Sequence, residues 1–238
     1  MSDRRLPGAD LREVLRPAIP TSTSTQALAD RLIPALVSPN AVVVDLGCGR
    51  GDSVDAFTAA EPSVRWIGVE VGDSEYVTRP DVELRVFDGV ALPFEDASVD
   101  LVFSKQVLEH VERPHELIPD VARVLKPGGR FAGSTSHLEP YHGRSTMNLT
   151  PYGLKVLLER SGFELELIAP GIDAPTLFVR RLLRGPAFFD RYWARRSPFN
   201  TLLDGVGRIT GWDAEDRNAI KLLFSGQYGF VARRTAPA

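Results

Sequence analysis

Hydrophobic residues along this chain form short continuous runs separated by stretches with helical spacing. The runs predict seven strands, at 41–46, 64–71, 82–87, 99–104, 130–134, 163–168 and 222–233. Helical spacing lies between them, at 26–37, 52–60, 117–125 and 150–161. Continuous apolar runs are typical of strands buried on both faces, and alternating strands and helices imply parallel neighbours joined by crossovers. The pattern therefore predicts an α/β fold, with a seven-stranded, mostly parallel sheet and helices on both faces.

The alternation breaks between the sixth and seventh predicted strands, where about fifty residues do not fit it. We predict a helical insertion there, at 174–220, before the last strand and C-terminal tail at 221–238. The sheet core then spans 41–173, and an irregular arm followed by a helix occupies 1–40. Pro119 falls inside a predicted helix, which accommodates it only by starting beside it or by kinking.

Composition narrows the class of protein. The 238 residues are 43% hydrophobic and 25% charged, with a net charge of −3. This balance is typical of globular proteins and argues against nucleic acid as a partner. A single cysteine, Cys48, excludes an internal disulfide and favours a reducing, cytoplasmic location. The start of the chain lacks the apolar core of a signal peptide, and no apolar run reaches the ~20 residues of a transmembrane segment.

A glycine-rich turn follows the first predicted strand. Asp45 ends the strand, and Gly47, Gly49 and Gly51 follow at alternate positions. Glycines permit positive φ and close approach of a ligand, and the next helix directs free N–H groups at it. The dinucleotide pattern G-x-G-x-x-G fails because Asp52 occupies its last position, and no Gly-Lys-Ser/Thr motif follows. The acidic neighbour suits a cationic ligand better than a pyrophosphate.

The stretch VVVDLGCGRGDS at 42–53 resembles the first motif of the class I methyltransferase family. The blocks FDGVALPFEDASVDLVFSKQVLEHV and ARVLKPGGRF resemble the family's later motifs, so the likeness covers about 41–163. This resemblance implies a Rossmann-like fold and S-adenosylmethionine as the cofactor. It specifies almost nothing about the methyl acceptor.

Several residues at strand ends are candidates for holding that cofactor. Glu70 ends the second strand, where a carboxylate can accept two hydrogen bonds from a ribose diol. By resemblance, Asp88 contacts the adenine amino group with the Gly89 backbone nearby, and Ser104 completes the set with the glycine turn. An ordinary surface glutamate and a simple Asp-Gly turn are the alternative interpretations. About eleven residues separate Glu70 from the third strand, too few for the family's usual helix, which puts an adenine wall at 71–80 in doubt.

The loop after the fifth strand, STSHLEPYH at 134–142, leaves the carboxyl edge of the sheet. There we expect the acceptor pocket, with His142 or His137 as the general base and a preference for His142. A polar loop with locally bonded histidines is the alternative. The His-x-Glu-x-x-His spacing lacks a helix to align it, so no metal is predicted. By resemblance, His110 lies near the methionine end of the cofactor, where we expect a structural or pocket-lining role, with catalysis as the alternative.

The predicted insertion interleaves arginines with aromatic residues. The arginines are Arg180, Arg181, Arg184, Arg191, Arg195 and Arg196, and the aromatics are Phe188, Phe189, Tyr192 and Trp193. Three interpretations stay open: a lid over an anionic acceptor, peripheral contact with a membrane surface, or packing against the domain or a second subunit of a homodimer.

The segments GRSTMNLTPYGLKVLLERSGF and GQYGFVARR resemble methyltransferases of bacterial glycan and natural-product pathways. The sequence therefore predicts methyl transfer to a small molecule, most simply to a hydroxyl of a sugar or glycan. N- or C-methylation of another natural product or of RNA, and a non-catalytic methyltransferase-like partner subunit, are the alternatives.

Overall fold

The computed structural model describes residues 7–21, 29–76, 79–141 and 143–235. Their strands form one seven-stranded sheet in the order β3-β2-β1-β4-β5-β7-β6. The strands are β1 (Val42–Leu46), β2 (Arg65–Val71), β3 (Leu84–Phe87), β4 (Val99–Lys105), β5 (Leu125–Ser136), β6 (Phe163–Pro170) and β7 (Gln227–Arg234). Neighbours from β3 to β5 are parallel, whereas β7 pairs antiparallel with both β5 and β6. The predicted α/β class and mostly parallel sheet are confirmed.

Helices cover both faces of the sheet, as predicted. They are α1 (Ala9–Leu15), α2 (Ile33–Leu36), α3 (Ser53–Ala60), α4 (Pro114–Val124), α5 (Pro151–Arg160), α6 (Ala174–Leu182), α7 (Arg191–Ala194), α8 (Pro198–Thr210) and α9 (Ala214–Leu223). Short 3-10 turns occur at Arg16–Ala18, Ala29–Leu32, Leu108–His110 and Ala187–Phe189. No helix among these described residues is both long and apolar enough to cross a bilayer.

Two apolar cores follow from the alternation of side chains along the strands. In β1, Val44 and Leu46 point into one core, which α1, α4, α5 and α9 complete. Val43 points into the other core, where Phe57 of α3 packs edge-on against Phe103 of β4 at 5.3 Å between ring centroids. The central strands are thus buried on both faces, and their carboxyl ends meet at one edge of the sheet.

Local sequence fixes several helix ends. Thr150 caps α5 by accepting a hydrogen bond from the backbone N–H of Gly153, and Pro151 occupies the first helical position. Gly162, with φ of 83°, follows the last turn of this helix. These residues bound the helix that the sequence predicted at 150–161.

Three predicted elements were wrong in extent. The irregular arm contains α1, whose Leu15 is buried in the core. The run at 222–233 divides between the end of α9 and β7, because the buried Leu222 packs from a helix rather than from a strand. The strand predicted at 130–134 is longer, because β5 begins at Leu125, and the β4–β5 register shifts between Val99 and Leu101.

Other boundaries moved less. The helix predicted at 26–37 is a 3-10 turn and α2 over 29–36, and residues 26–28 lie outside the described part of the chain. Helix α4 begins at Pro114, so Pro119 lies within it rather than beside its start.

Candidate functional site

The glycine turn between β1 and α3 has the backbone conformation that its sequence predicted. Gly47, Gly49 and Gly51 have φ of 69°, 54° and 82°, in the left-handed region. The N–H of Gly47 donates to the Val69 carbonyl at 2.8 Å, which ties the turn to β2. A Cβ on Gly47 would lie 2.5 Å from Cγ2 of Val107, so only glycine lets the loop after β4 pack here.

Glu70 supports the same turn from the end of β2. Its Oε2 accepts a hydrogen bond from the N–H of Gly49 at 2.8 Å, and its Oε1 accepts one from the N–H of Val71 at 3.1 Å. A carboxylate has about four lone-pair sites, so both oxygens keep capacity for a ligand diol. Glu70 is therefore a structural anchor as well as a wall of the adjoining cavity.

Asp45 lies beneath the turn instead of in the cavity wall. Its buried carboxylate accepts a hydrogen bond from Ser53, whose hydroxyl oxygen accepts one from Nε1 of Trp66 at 3.0 Å. Burial raises the pKa of Asp45 to about 7, although the Ser53 bond and the charge of Lys105 act in the opposite direction. The residue joins the end of β1 to the start of α3.

The turn opens onto a first cavity of about 360 Å³, within the size range of small-molecule sites. Four carboxylates line it, with one guanidinium: Glu70, Asp73, Asp88, Glu112 and Arg113. An excess of negative groups favours a ligand with a cationic centre. His110 also lines this cavity, in agreement with its predicted role.

Asp88 and Gly89 follow β3 and line the opposite side of the first cavity. Oδ1 of Asp88 accepts hydrogen bonds from the N–H groups of Val90 at 2.9 Å and Ala91 at 2.7 Å. These donors lower the pKa of Asp88 and keep it ionised. Gly89 has φ of 88°, and nothing lies within 4 Å of where its Cβ would be. Asp88 and Gly89 thus form a turn and also line the first cavity.

The connection from β2 to β3 contains no helix in its described residues, 72–76 and 79–83, as its length indicated. Arg79 holds it down through paired hydrogen bonds to Asp55 of α3, both at 3.0 Å, and through Asp81. Val71, at the end of β2 and the start of the range 71–80, lines the first cavity, and Phe87 at the end of β3 adds a further apolar group.

A second cavity, of about 270 Å³, lies across the loop that follows β4. Lys105 and Gln106 line it, whereas the next residue, Val107, lines the first cavity. Its remaining wall comes from the 3-10 turn before α2, from β5 and β7, from the loop after β6, and from α7: Ala29, Asp30, Ser134, Gly171, Ile172, Trp193, Gln227 and Tyr228. The two cavities are thus separated by a single loop at the carboxyl edge of the sheet.

Gln106 is held in an unfavourable conformation in this loop. Its φ is 58°, a left-handed value that non-glycine residues rarely adopt. Its N–H donates to the Ser134 carbonyl at 2.9 Å, and its Nε2 donates to Oγ of Ser134 at 3.0 Å. Its Oε1 is buried and has no hydrogen-bond partner within the described residues. Strain and an unpaired buried acceptor together make Gln106 a candidate for contact with a ligand.

The structure separates Ser104 and His137 from the cavity walls. Ser104 is fully buried, and its Oγ has no partner in the part of the chain that is described. The ring of His137 packs edge-on against Tyr228, with centroids 6.4 Å apart, and burial lowers the pKa of this histidine. Tyr228 also lines the second cavity, so His137 contacts a wall residue of that cavity without lining it. His142 lies outside the described residues.

A buried polar network supports the second cavity from behind. Glu109 accepts hydrogen bonds from Thr135 and Ser136, both at 3.1 Å. Glu139 accepts bonds from Oγ of Ser136 at 2.8 Å and from Nε2 of Gln227 at 2.6 Å. Because one hydroxyl carries one proton, Ser136 donates to a single carboxylate at a time. Burial raises the pKa of Glu109, so a protonated Glu109 can donate to Ser136 in return.

Sequence reasoning missed Gln106, Lys105 and Trp193 as wall residues of a cavity. The signal for Gln106 and Lys105 was their position directly after β4, at the carboxyl edge where ligands of parallel sheets bind. Trp193 was noticed only as part of the aromatic cluster, because the sequence does not show which helix face meets the sheet.

Sheet order and glycine turn are those of the Rossmann-like fold of class I S-adenosylmethionine-dependent methyltransferases. Residues 44–133 match the family described as a methyltransferase domain.

Two mycobacterial relatives are similar over this region. A Mycolicibacterium smegmatis protein named "Probable S-adenosylmethionine-dependent methyltransferase" is 34% identical over 52% of this chain and 52% of its own length. A Mycobacterium tuberculosis protein named "Uncharacterized methyltransferase" is 40% identical over 46% of this chain and 45% of its own. The chain thus spans about half the length of the curated relatives that it matches.

Solved structures share the fold at low identity. Geranyl diphosphate C-methyltransferase from Streptomyces coelicolor, in complex with Mg²⁺, geranyl diphosphate and S-adenosylhomocysteine, superposes with a TM-score of 0.56 and 17% identity. The match covers 87% of this chain and 78% of that one. Identity this low supports the fold alone.

Proposed function

We propose that this chain transfers the methyl group of S-adenosylmethionine, bound in the first cavity, to a hydroxyl of a sugar or glycan bound in the second. The observation that carries the proposal is the placement of two cavities on either side of residues 105–107 at the carboxyl edge of the sheet. One cavity is acidic and glycine-lined, and the other is lined by neutral polar groups.

Within this proposal, the cofactor residues keep the roles expected from the sequence. Glu70 binds the ribose diol, Asp88 and the Gly89 backbone bind adenine, and Gly47 and Gly49 lie beneath the ligand. Asp45 and Ser104 complete the cofactor-binding set. The buried position of both supports an indirect part for them, through the shape of the turn and of the end of β4.

The acceptor class is argued from the wall of the second cavity. Gln106, Gln227 and Ser134 supply uncharged hydrogen-bonding groups, and Trp193 supplies an aromatic face. The ammonium of Lys105 is neutralised by Asp30, with Nζ and Oδ2 2.6 Å apart. Hydroxyl groups and apolar C–H faces alternate around a sugar ring, so amides and an aromatic ring fit it better than they fit an anion.

The chemistry is an in-line displacement. The acceptor oxygen forms a bond to the methyl carbon as the bond between that carbon and sulfur breaks. The electron pair of the broken bond stays on the sulfur of S-adenosylhomocysteine. The hydroxyl proton passes to a base, for which His142 and His137 are the candidates. Its lowered pKa keeps His137 neutral at pH 7 and able to accept a proton. Holding both reactants in line can contribute roughly 7–11 kcal/mol.

The test measures methyl transfer from labelled S-adenosylmethionine to a panel of glycosides, alcohols, amines and RNA, with Gln106→Gly as the diagnostic variant. Glycine relieves the left-handed strain but removes the amide. We expect kcat/KM for the acceptor to fall about 10- to 100-fold, as for one or two lost hydrogen bonds. The dissociation constant of the cofactor should stay unchanged, and the melting temperature should not fall.

Tyr152→Ala, at an exposed residue of α5 outside both cavities, is the matched control and should keep the parent rate. His137→Ala and His142→Ala identify the base, whose loss should lower kcat by ~10²–10⁴-fold. Methylation of amines, carbon acids or RNA instead of hydroxyls would refute the sugar assignment. Cofactor binding without turnover on any acceptor would favour a non-catalytic partner.

A further inference from the structure

The segment from 174 to 212, here named the basic cap, exposes an unusual amount of apolar surface. Half of the large hydrophobic side chains that are exposed in the described residues belong to it: Phe178, Val179, Leu182, Leu183, Phe188, Leu202, Val206 and Ile209. Isolated exposed apolar residues are ordinary on a soluble domain, but a contiguous set marks an interaction surface.

These side chains lie on α6, on α8 and on the residues between them, and five of the eight line two adjoining grooves. Leu202, Val206 and Ile209 follow the spacing of a single stripe on α8. An apolar groove runs along that stripe, and a second groove lies between α6 and the start of α8, beside Val179 and Phe188. Tyr192 and Pro198 line both grooves, so they join the two exposed faces into one patch.

The basic cap also separates charge within the molecule. It holds seven arginines and two aspartates, a net charge of +5, whereas the whole chain carries −3, which leaves −8 for the remainder. Both aspartates are already paired within the cap: Asp190 with Arg180 at 3.1 Å and Asp204 with Arg196 at 2.9 Å. The other five arginines of the cap are exposed: Arg181, Arg184, Arg191, Arg195 and Arg208.

We propose that the basic cap docks the protein on an anionic phospholipid surface, with the apolar patch inserted among the acyl chains and the arginines against the headgroups. Exposed aliphatic and aromatic side chains surrounded by cations are the features that interfacial helices use. Each cation near an anionic leaflet adds to the attraction. A symmetric dimer through this patch would instead bring two surfaces of charge +5 together, which charge repulsion opposes.

The patch lies next to the second cavity. Tyr192 lines the apolar grooves, and its neighbour Trp193 lines the cavity. A docked cap would therefore bring that cavity to the lipid interface. This link rests on the proposed function and narrows its acceptor to a sugar carried on a lipid, whereas the docking itself depends only on the cap.

The experiment is vesicle flotation of the full chain, without cofactor or acceptor. The vesicles contain phosphatidylglycerol with phosphatidylcholine, or phosphatidylcholine alone. Leu182 and Ile209 are 82% and 89% exposed, so Leu182→Ser with Ile209→Ser should not disturb the fold. We expect wild type to float with the anionic vesicles only. The double variant should bind roughly 10- to 100-fold more weakly, and raised salt should also weaken binding.

Tyr152→Ser, at an exposed aromatic outside the cap, is the matched control and should bind like wild type. Arg181→Gln with Arg208→Gln tests the charge and should weaken binding, whereas Arg160→Gln on α5 should not. Failure of wild type to bind anionic vesicles, or full binding by the double variant, would overturn the proposal. So would a wild-type dimer that Leu182→Ser with Ile209→Ser makes monomeric, because the patch would then be a contact between two copies.

Failure of docking and failure of the proposed function remain distinguishable. Flotation uses neither S-adenosylmethionine nor an acceptor, and the methylation assay with water-soluble glycosides uses no lipid. If the protein methylates glycosides but does not bind vesicles, only the docking proposal is overturned. Vesicle binding without sugar methylation would remove only the acceptor assignment.

Discussion

At the scale of single residues, Glu70 has a structural role besides the ribose binding that the sequence predicted. It anchors the N–H of Gly49 and faces the first cavity, where we propose that it binds ribose. Glu70→Ala should remove both contributions. At about 1–1.5 kcal/mol for each of two ribose hydrogen bonds, affinity for S-adenosylmethionine should fall roughly 10- to 100-fold.

Isothermal titration calorimetry measures this change, and Glu70→Gln is the matched variant. Glutamine retains one acceptor oxygen in the same place, so its affinity should lie between those of wild type and alanine. Wild-type affinity in Glu70→Ala would remove the ribose assignment, although the turn could still be the cofactor site.

Asp45 should give the fold a specific dependence on pH. Its carboxyl has a pKa of about 7 in the fold, above the value of 3.8 for an unperturbed group, so the folded chain binds this proton more tightly. The stability it contributes is complete below pH ~4 and is lost as the pH rises through about 7, by roughly 4 kcal/mol. Asp45→Asn, which does not titrate, should therefore gain stability relative to wild type across this window.

Denaturant unfolding of both proteins between pH 4 and pH 8 measures the difference. Asp52→Asn, at an exposed residue in the same turn, should show the wild-type profile. A constant difference between Asp45→Asn and wild type across the window would mean that Asp45 is ionised in the fold.

At the scale of elements, α4 contains a proline in its interior. Because proline has no backbone N–H, Pro119 cannot make the intrahelical hydrogen bond of its position. Because Pro119 is exposed, it also adds little packing. Pro119→Ala should restore that bond. Removing proline from the helix interior stabilises the fold by up to ~3 kcal/mol. Roughly 0.4–1 kcal/mol of this is lost because alanine leaves the unfolded chain with more conformational freedom. We expect a higher melting temperature in calorimetry, and an unchanged or lower value would show that the surrounding structure already accommodates the proline.

At the scale of the whole molecule, the cofactor should stabilise the fold that holds it. A ligand present at 100 times its dissociation constant adds about 2.7 kcal/mol. For a chain of this size, that raises the melting temperature by roughly 5–10 °C. Differential scanning fluorimetry should show this rise with S-adenosylmethionine and S-adenosylhomocysteine. NAD should give none, because Asp52 replaces the third glycine of its motif and carboxylates line the cavity.

The sequence by itself determined the features that depend on neighbouring residues. Continuous apolar runs identified the buried strands, and alternate glycines indicated the positive φ of the turn at Gly47, Gly49 and Gly51. The positions of Glu70 and Asp88 at strand ends placed both at one cavity, because the carboxyl ends of parallel strands meet at the same edge. Each of these inferences needed only local pattern and the geometry common to parallel sheets.

Only the tertiary structure decided which distant segments meet. The second cavity takes its wall from residues near positions 30, 106, 134, 193 and 227, and no local pattern relates them. The last strand enters between β5 and β6 and pairs antiparallel with both, and the apolar residues before it belong to α9. His137 packs behind Tyr228 for the same reason. Packing between two elements depends on the side chains of both. The local sequence of one element does not identify the distant element that packs against it.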